Sequence, residues 1–420
     1  MNEAPKIPKQ ALQAQRQAVL AQVRREQIRK KQFVITATSA LLAFVIFVFS
    51  VRLSPTIANY VAKIPGFEPI VEMISYNKGL KDIMQHEYYE EIGMMITKNQ
   101  LTATLVGVIA DETGMMISYE IDAPFDLSTI NLTEIYILQN GEPIGTSHSY
   151  GWVSDKPTKH IESVITATSQ EAISYNNNNF DLVLHFNDEH NTVITLPFEL
   201  QQPIAPTKVY TIDQTLEVQE QKFTVNQVAI SPLTTAIDIT VDPTNSMRIL
   251  AFDDLKLIDE NGEEWARIEN GLTATGALED GKIRYYMQSN YFRIPKELTL
   301  EIGEIHALPK GQDIIEVDFA KERILYQPDI VDWQITVQGK TVTVEADHYE
   351  GEGRTLLFTA YDQYGNEIPS GEQSWHDIEY GLHASYTYDD APYEAPVKID
   401  INYYPNPIGS HLILPIFSNK

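Results

Sequence analysis

The chain reads as a mainly β protein, with an N-terminal transmembrane helix followed by three tandem antiparallel β-sandwich domains of immunoglobulin-like type. Three observations predict this. One apolar run, Phe33 to Val51, carries no charge over nineteen residues. Beyond about residue 91 the hydrophobic period is two, in short β-branched and aromatic segments bounded by Gly, Pro, Asn and Asp. One alternating pattern also recurs three times, at intervals of 122 and 119 residues measured from Leu101 to Phe223 to Val342. Periods of that length are whole domains, not solenoid units.

The N-terminal tail, residues 1–32, holds eight basic residues against Glu3 and Glu26, a net of +6. Gln10 to Lys31 contains no Gly or Pro and places Leu12, Val19 and Val23, with Ile28 beside them, along one side of a helix. These four are the candidate partner-binding residues, fitting a groove or a membrane surface. The plainer reading of the tail is a basic segment that only sets topology.

The run at residues 33–51 spans ~28 Å at ~1.5 Å per residue, close to a bilayer's hydrocarbon thickness. After it come 23 basic and 56 acidic residues, a net of −33. Short Lys- and Arg-rich segments beside a span stay cytoplasmic, so the expected location is the cell membrane, with the N-terminus inside and a large ectodomain outside. A cleaved secretory signal is the competing reading, with Thr56-Ile57-Ala58 as its weak cleavage site. The long charged region and long apolar run favour a retained anchor.

Residues 52–92 read as a juxtamembrane helical segment. Ile57, Tyr60, Val61 and Ile64 follow one helical face, Pro65-Gly66 breaks it, and short helices are expected from Glu68 and again after Gly79. It is a plain stalk or a recognition segment for a protease near the bilayer.

The sandwiches follow at 93–205, 206–327 and 328–420, separated by Pro-containing linkers around Pro203 and Pro328. In each copy an alternating run turns and alternates again. The inward residues are Leu101, Ala103, Leu105 and Ile117, Tyr119, Ile121 in the first copy, and Phe223, Val225 and Ile237, Ile239, Val241 in the second. In the third they are Val342, Val344, Ala346 and Leu356, Phe358, Ala360. Each copy continues with a hairpin signal (Asn140-Gly141, Asn261-Gly262, Gly365-Asn366) and a tryptophan (Trp152, Trp265, Trp375) read as a core plug. The third copy is shorter, as though it has lost a strand or a long connection.

Composition narrows the chemistry. There is no cysteine, hence no disulfide, thiol catalysis or Cys-ligated zinc. The acidic ectodomain argues against nucleic acid, which demands an excess of Lys and Arg. No nucleophile elbow, phosphate loop or His-Glu-x-x-His motif occurs. Around His86 the second zinc-ligand position is taken by Glu90. Asp259 to Glu264 is a hairpin turn, not a calcium loop, and Asp188 to Asn191 is another turn. His148, His190 and His383 are scattered over separate units. The expectation is a non-enzyme with no catalytic residue, metal or cofactor.

Leu53 to Met84 and Thr104 to Ile121 resemble the membrane-proximal domain of unknown function of single-pass proteins from Gram-positive, spore-former-type bacteria. Ser231 to Trp265 and Tyr285 to Ile302 resemble the immunoglobulin-like domain that commonly follows it. Such proteins are often encoded beside extracytoplasmic-function sigma factors and described as their anti-sigma factors. The resemblance therefore implies transmembrane signalling, with a sigma factor as the cytoplasmic partner. The tail lacks the zinc-binding His-x3-Cys-x2-Cys motif of better-understood anti-sigma factors, so no family binding residue carries over. Two expectations follow: a membrane regulator with a sensing ectodomain, or an envelope interaction stalk whose outer ligand is unknown.

Overall fold

The computed structural model describes residues 77–151, 156–169, 171–266, 274–277, 281–293, 295–347, 354–378, 381–389 and 391–418. The apolar run at 33–51 and the tail lie outside these. Among the described residues no helix is long and apolar enough to cross a membrane. They form a mainly β structure with several antiparallel sheets.

Helix α1 (Lys78–Gln85) starts at Asn77, whose side chain accepts from the amides of Gly79 and Leu80 at 2.9 and 3.3 Å, satisfying two donors the first turn leaves open. It stops at Gln85, and Glu87 turns with φ 55°. A strand begins at Glu90, inside the stretch that periodicity assigned to the juxtamembrane segment.

The first core lies between two sheets. Its strands are β1 (Glu90–Lys98), β2 (Leu101–Asp111), β3 (Gly114–Asp122), β4 (Leu132–Gln139), β5 (Glu142–Pro143), β6 (Thr146–Tyr150), β7 (His160–Ser169), β8 (Asn179–Phe186) and β9 (Val193–Glu199). One sheet has the order β1-β2-β3-β7-β6 and the other β5-β4-β8-β9. Alternation puts Leu101, Ala103, Leu105, Ile117, Tyr119 and Ile121 on the buried face, opposite Leu182, Leu184 and Leu196. Asn140 and Gly141, at φ 56° and 82°, make the two-residue turn between β4 and β5.

The second core repeats this plan with β10 (Lys208–Val218), β11 (Gln221–Ile230), β12 (Thr234–Val241), β13 (Met247–Phe252), β14 (Lys256–Asp259), β15 (Glu264–Trp265), β16 (Ala274–Ala277), β17 (Lys282–Gln288) and β18 (Glu297–Pro309). The order β10-β11-β12-β17-β16 matches the first sheet of the first core, and β13, β14 and β15 join β18 in the second.

The third core uses β19 (Ile314–Asp318), β20 (Arg323–Tyr326), β21 (Gln334–Gln338), β22 (Thr341–Asp347), β23 (Leu357–Tyr361), β24 (Glu367–Ile368), β25 (Ser370–Ile378), β26 (Gly381–Tyr388) and β27 (Val397–Ile401), and the chain ends in β28 (Pro407–Ser418). Its sheets run β21-β22-β26-β25 and β20-β19-β27-β23-β24. Two departures from the sequence pattern stand out. Strand β23 forms a hairpin with β24 and so holds the place of β4, whereas alternation alone had aligned it with β3; among the described residues β22 pairs directly with β26, and no strand holds the place that β3 takes between β2 and β7. And the second and third cores exchange strands across the expected boundary at 327/328. In the first core β9 follows β8 directly, but the equivalent neighbour of β18 is β28, from the far C-terminus. The same place in the third core, beside β27, is taken by β19, which precedes the rest of that core. Leu250, Ala251 and Leu308 accordingly pack into the third core.

Polar contacts reinforce the exchange. Arg248 and Asp313 form a mostly buried ion pair at 2.9 Å, and Arg248 also donates to the Ile401 carbonyl. Asp253 accepts from Arg354 and lies 3.2 Å from buried His306, whose ring meets Tyr403 edge-on.

Candidate functional site

A cluster of polar contacts between residues far apart in sequence surrounds α1. Although α1 immediately precedes the first core, its partners lie about 200 residues away on the rim of the second. Leu80, Ile83 and Met84 are buried, and so is Asp82, at 2% exposure. A carboxylate so deeply placed needs a partner. Arg293 supplies it, with Nε and Nη2 donating to the two Asp82 oxygens at 2.7 and 3.0 Å. The remaining guanidinium nitrogen, Nη1, is 3.4 Å from Glu263.

Around this pair, the Lys78 amide donates to Gln288 at 3.1 Å and Lys78 Nζ donates to the Glu264 carbonyl at 2.8 Å. His86 bonds to the Asp82 carbonyl through Nδ1 and stacks on Phe292 at 4.7 Å, so it acts as a packing residue. Gly79 is where backbones meet: a Cβ there would sit 2.8 Å from the Ser289 carbonyl oxygen.

A second arm is the hairpin tip between β2 and β3. Asp111 is buried; one oxygen accepts from the amide and hydroxyl of Thr113, both at 2.7 Å, and the other from the Leu233 amide at 2.7 Å. Burial raises its pKa, and the bonds from Leu233 and Thr113 oppose that only in part. Tyr88 donates to the Ala110 carbonyl and accepts from the Ala205 amide, each at 2.9 Å. Burial pushes its phenol to about 12, against the lowering influence of Ala205.

The Pro203 linker is pinned in place. Glu90 accepts from the amides of Gln201 and Gln202 at 2.7 and 3.1 Å, and Glu112 from that of Thr207 at 2.9 Å. Helix, first core and second core are thereby tied together at one junction.

The sequence-predicted partner residues Leu12, Val19, Val23 and Ile28 lie outside the described residues, as does Trp152. Trp265 is fully buried, whereas Trp375 is 62% exposed and corrects the expectation of a core plug. It sits on edge strand β25 opposite inward-facing Ala384, but β24, the adjoining edge of the facing sheet, has only two residues and leaves it uncovered. His190 pairs with Glu189, and His383 stacks on His376. Among the described residues no group of three or more His, Asp or Glu could hold a metal ion. In the turn at Asp259 the carboxylate is engaged by the Asn261 and Glu263 amides, each at 2.8 Å. Sequence reasoning missed Asp82 and Arg293. The available signal was a lone acid between Leu80 and Ile83 on a short helix's buried side.

Residues 28–123 match the model of a domain of unknown function, DUF4179, and residues 207–336 that of a family of unknown function, DUF5643. No curated protein matches. A crystal structure of a conserved domain protein from Bacillus anthracis aligns at 18% identity and TM-score 0.38, over 57% of this chain and 84% of that one.

Proposed function

We propose that this is a single-pass membrane regulatory protein, with an extracytoplasmic ectodomain of immunoglobulin-like sandwiches and an N-terminal tail that sequesters an extracytoplasmic-function sigma factor. The observation that carries the proposal is the docking of α1. This helix is the first described element after the apolar run, and it is tied to the second core through Asp82 and Arg293. A change in the ectodomain that loosens this tie alters the tension or accessibility of the segment leading to the membrane. That is a means of passing a signal inward or of licensing cleavage.

The test is capture. The tail should crosslink to a sigma factor in cells, and Val19→Asp with Val23→Asp should abolish capture and switch on target genes. No captured sigma factor would sink the proposal. A second reading, an envelope interaction stalk, is favoured by exposed Trp375 and Tyr364 on the third core. It requires that an unrelated basic tail in place of residues 1–25 leave transcription unchanged.

A further inference from the structure

The second core provides an internal control for the first. Both open with a strand that bulges in the same way, the register slipping between Glu91 and Met94 in β1 and between Thr211 and Gln214 in β10. Glu90 pairs with Val108, and Tyr210 with Val228, so Glu90 stands where the second core has Tyr210. Across the seam, Phe198 pairs with Phe180 as Phe417 pairs with Leu298. In the second core Tyr210 stacks on Phe417 at 4.8 Å and seals the seam. In the first core Glu90 turns away to the Gln201 and Gln202 amides. A cleft of about 610 Å³ remains.

The cleft combines an apolar floor that includes half-buried Ile92 and Met94 with Phe198 behind them, and a rim bearing Glu91, Asp181 and Glu199. Among the described residues no Lys, Arg or His lines it. Both flanking strand edges are blunted against strand addition: β1 by the bulge at Gly93, with φ 66°, and β9 by Pro197, which has no N–H. An occupant is therefore held by its side chains. We propose that this cleft binds a short basic, amphipathic peptide, with Lys or Arg side chains on the rim carboxylates and an apolar neighbour on Ile92 and Met94. The volume suits such a segment, and three spaced carboxylates beside an apolar seat call for more than one positive charge next to a hydrophobic group. This site is independent of what the tail binds.

The test uses the full chain in nanodiscs of zwitterionic lipid, with fluorescently labelled Arg-Phe-Arg-Phe-amide as the probe and Glu-Phe-Glu-Phe-amide as the control, read by anisotropy. The basic peptide should bind and the acidic one should not. Glu91→Gln with Glu199→Gln, both exposed, should weaken binding about fivefold through the loss of two surface ion pairs. Glu90→Tyr, which restores the seal of the second core, should weaken it more than about tenfold. If Glu90→Tyr lowers the melting temperature, the double Gln variant decides alone. Absence of binding to the wild-type chain, or wild-type affinity in these variants as expected of adsorption to a merely acidic surface, overturns the proposal.

Discussion

Replacing Arg293 with alanine leaves Asp82 buried at 2% exposure without the two charge-assisted bonds of 2.7 and 3.0 Å that compensate its desolvation. Stranding one partner of a fully buried pair costs ~3–5 kcal/mol. Arg293 is itself 41% exposed, and water enters the space it vacates, so the cost here is about 2 kcal/mol. That corresponds to roughly a 30-fold rise in the open population of α1. Amide hydrogen exchange at Asp82 to Gln85 should therefore accelerate by about that factor, while amides of the first core's β3 hold their rates. Asp82→Leu combined with Arg293→Met, which removes both charges, should recover most of the protection, because neither is then buried unpaired. Exchange at Asp82 to Gln85 within threefold of wild type in Arg293→Ala would refute the latch.

Three further outcomes are expected. Gly79→Ala improves helix propensity by ~1 kcal/mol, yet should speed exchange in α1, because the new methyl would lie 2.8 Å from the Ser289 carbonyl; slower exchange would show the contact to be soft. Deleting residues 407–420 removes buried Ile408 and Leu414 and uncovers Leu298, Leu300 and Ile302. The second core should then become sensitive to limited proteolysis while the first stays resistant. Burial alone would raise the pKa of Asp253, but the His306 bond and the Arg354 charge bring it below the ordinary 3.8. Its contribution is thus fully present above about pH 3.8 and lost as pH falls through the lower folded value. Asp253→Asn should flatten the acid limb of a denaturation-against-pH curve, and an unchanged limb would refute the pairing.

Local chemistry made much of the fold legible. Alternation marked Leu101, Ala103, Leu105, Phe223, Val225, Val342 and Val344 as inward, and all are buried, because a strand with one wet face has no other way to satisfy a period of two. The Asn140-Gly141 turn was equally readable from its demand for positive φ. What alternation does not encode is which strand pairs with which. It could not distinguish β23 as a counterpart of β4 from a counterpart of β3, since both roles bury alternate apolar residues. It could not see that β28 returns to β18. The latch was hidden for a related reason: Asp82 and Arg293 are 211 positions apart, and the apolar neighbours that mark Asp82 as inward do not say which cation meets it. Trp375 misled because a large aromatic is more often interior, and the short β24 that exposes it has no marked sequence signal.

The strand exchange between the second and third cores also imposes an order of assembly. A ribosome delivers β18 more than a hundred residues before the β28 that must lie beside it, so the second core stays incomplete until synthesis has passed through the whole third core and β28. The third core waits less, since β19 is already out when β27 arrives. Closure of β28 therefore reports that everything between has been made. A chain cut short anywhere in the third core leaves a raw strand edge on the second, a defect that proteolytic surveillance can recognise without reading any sequence.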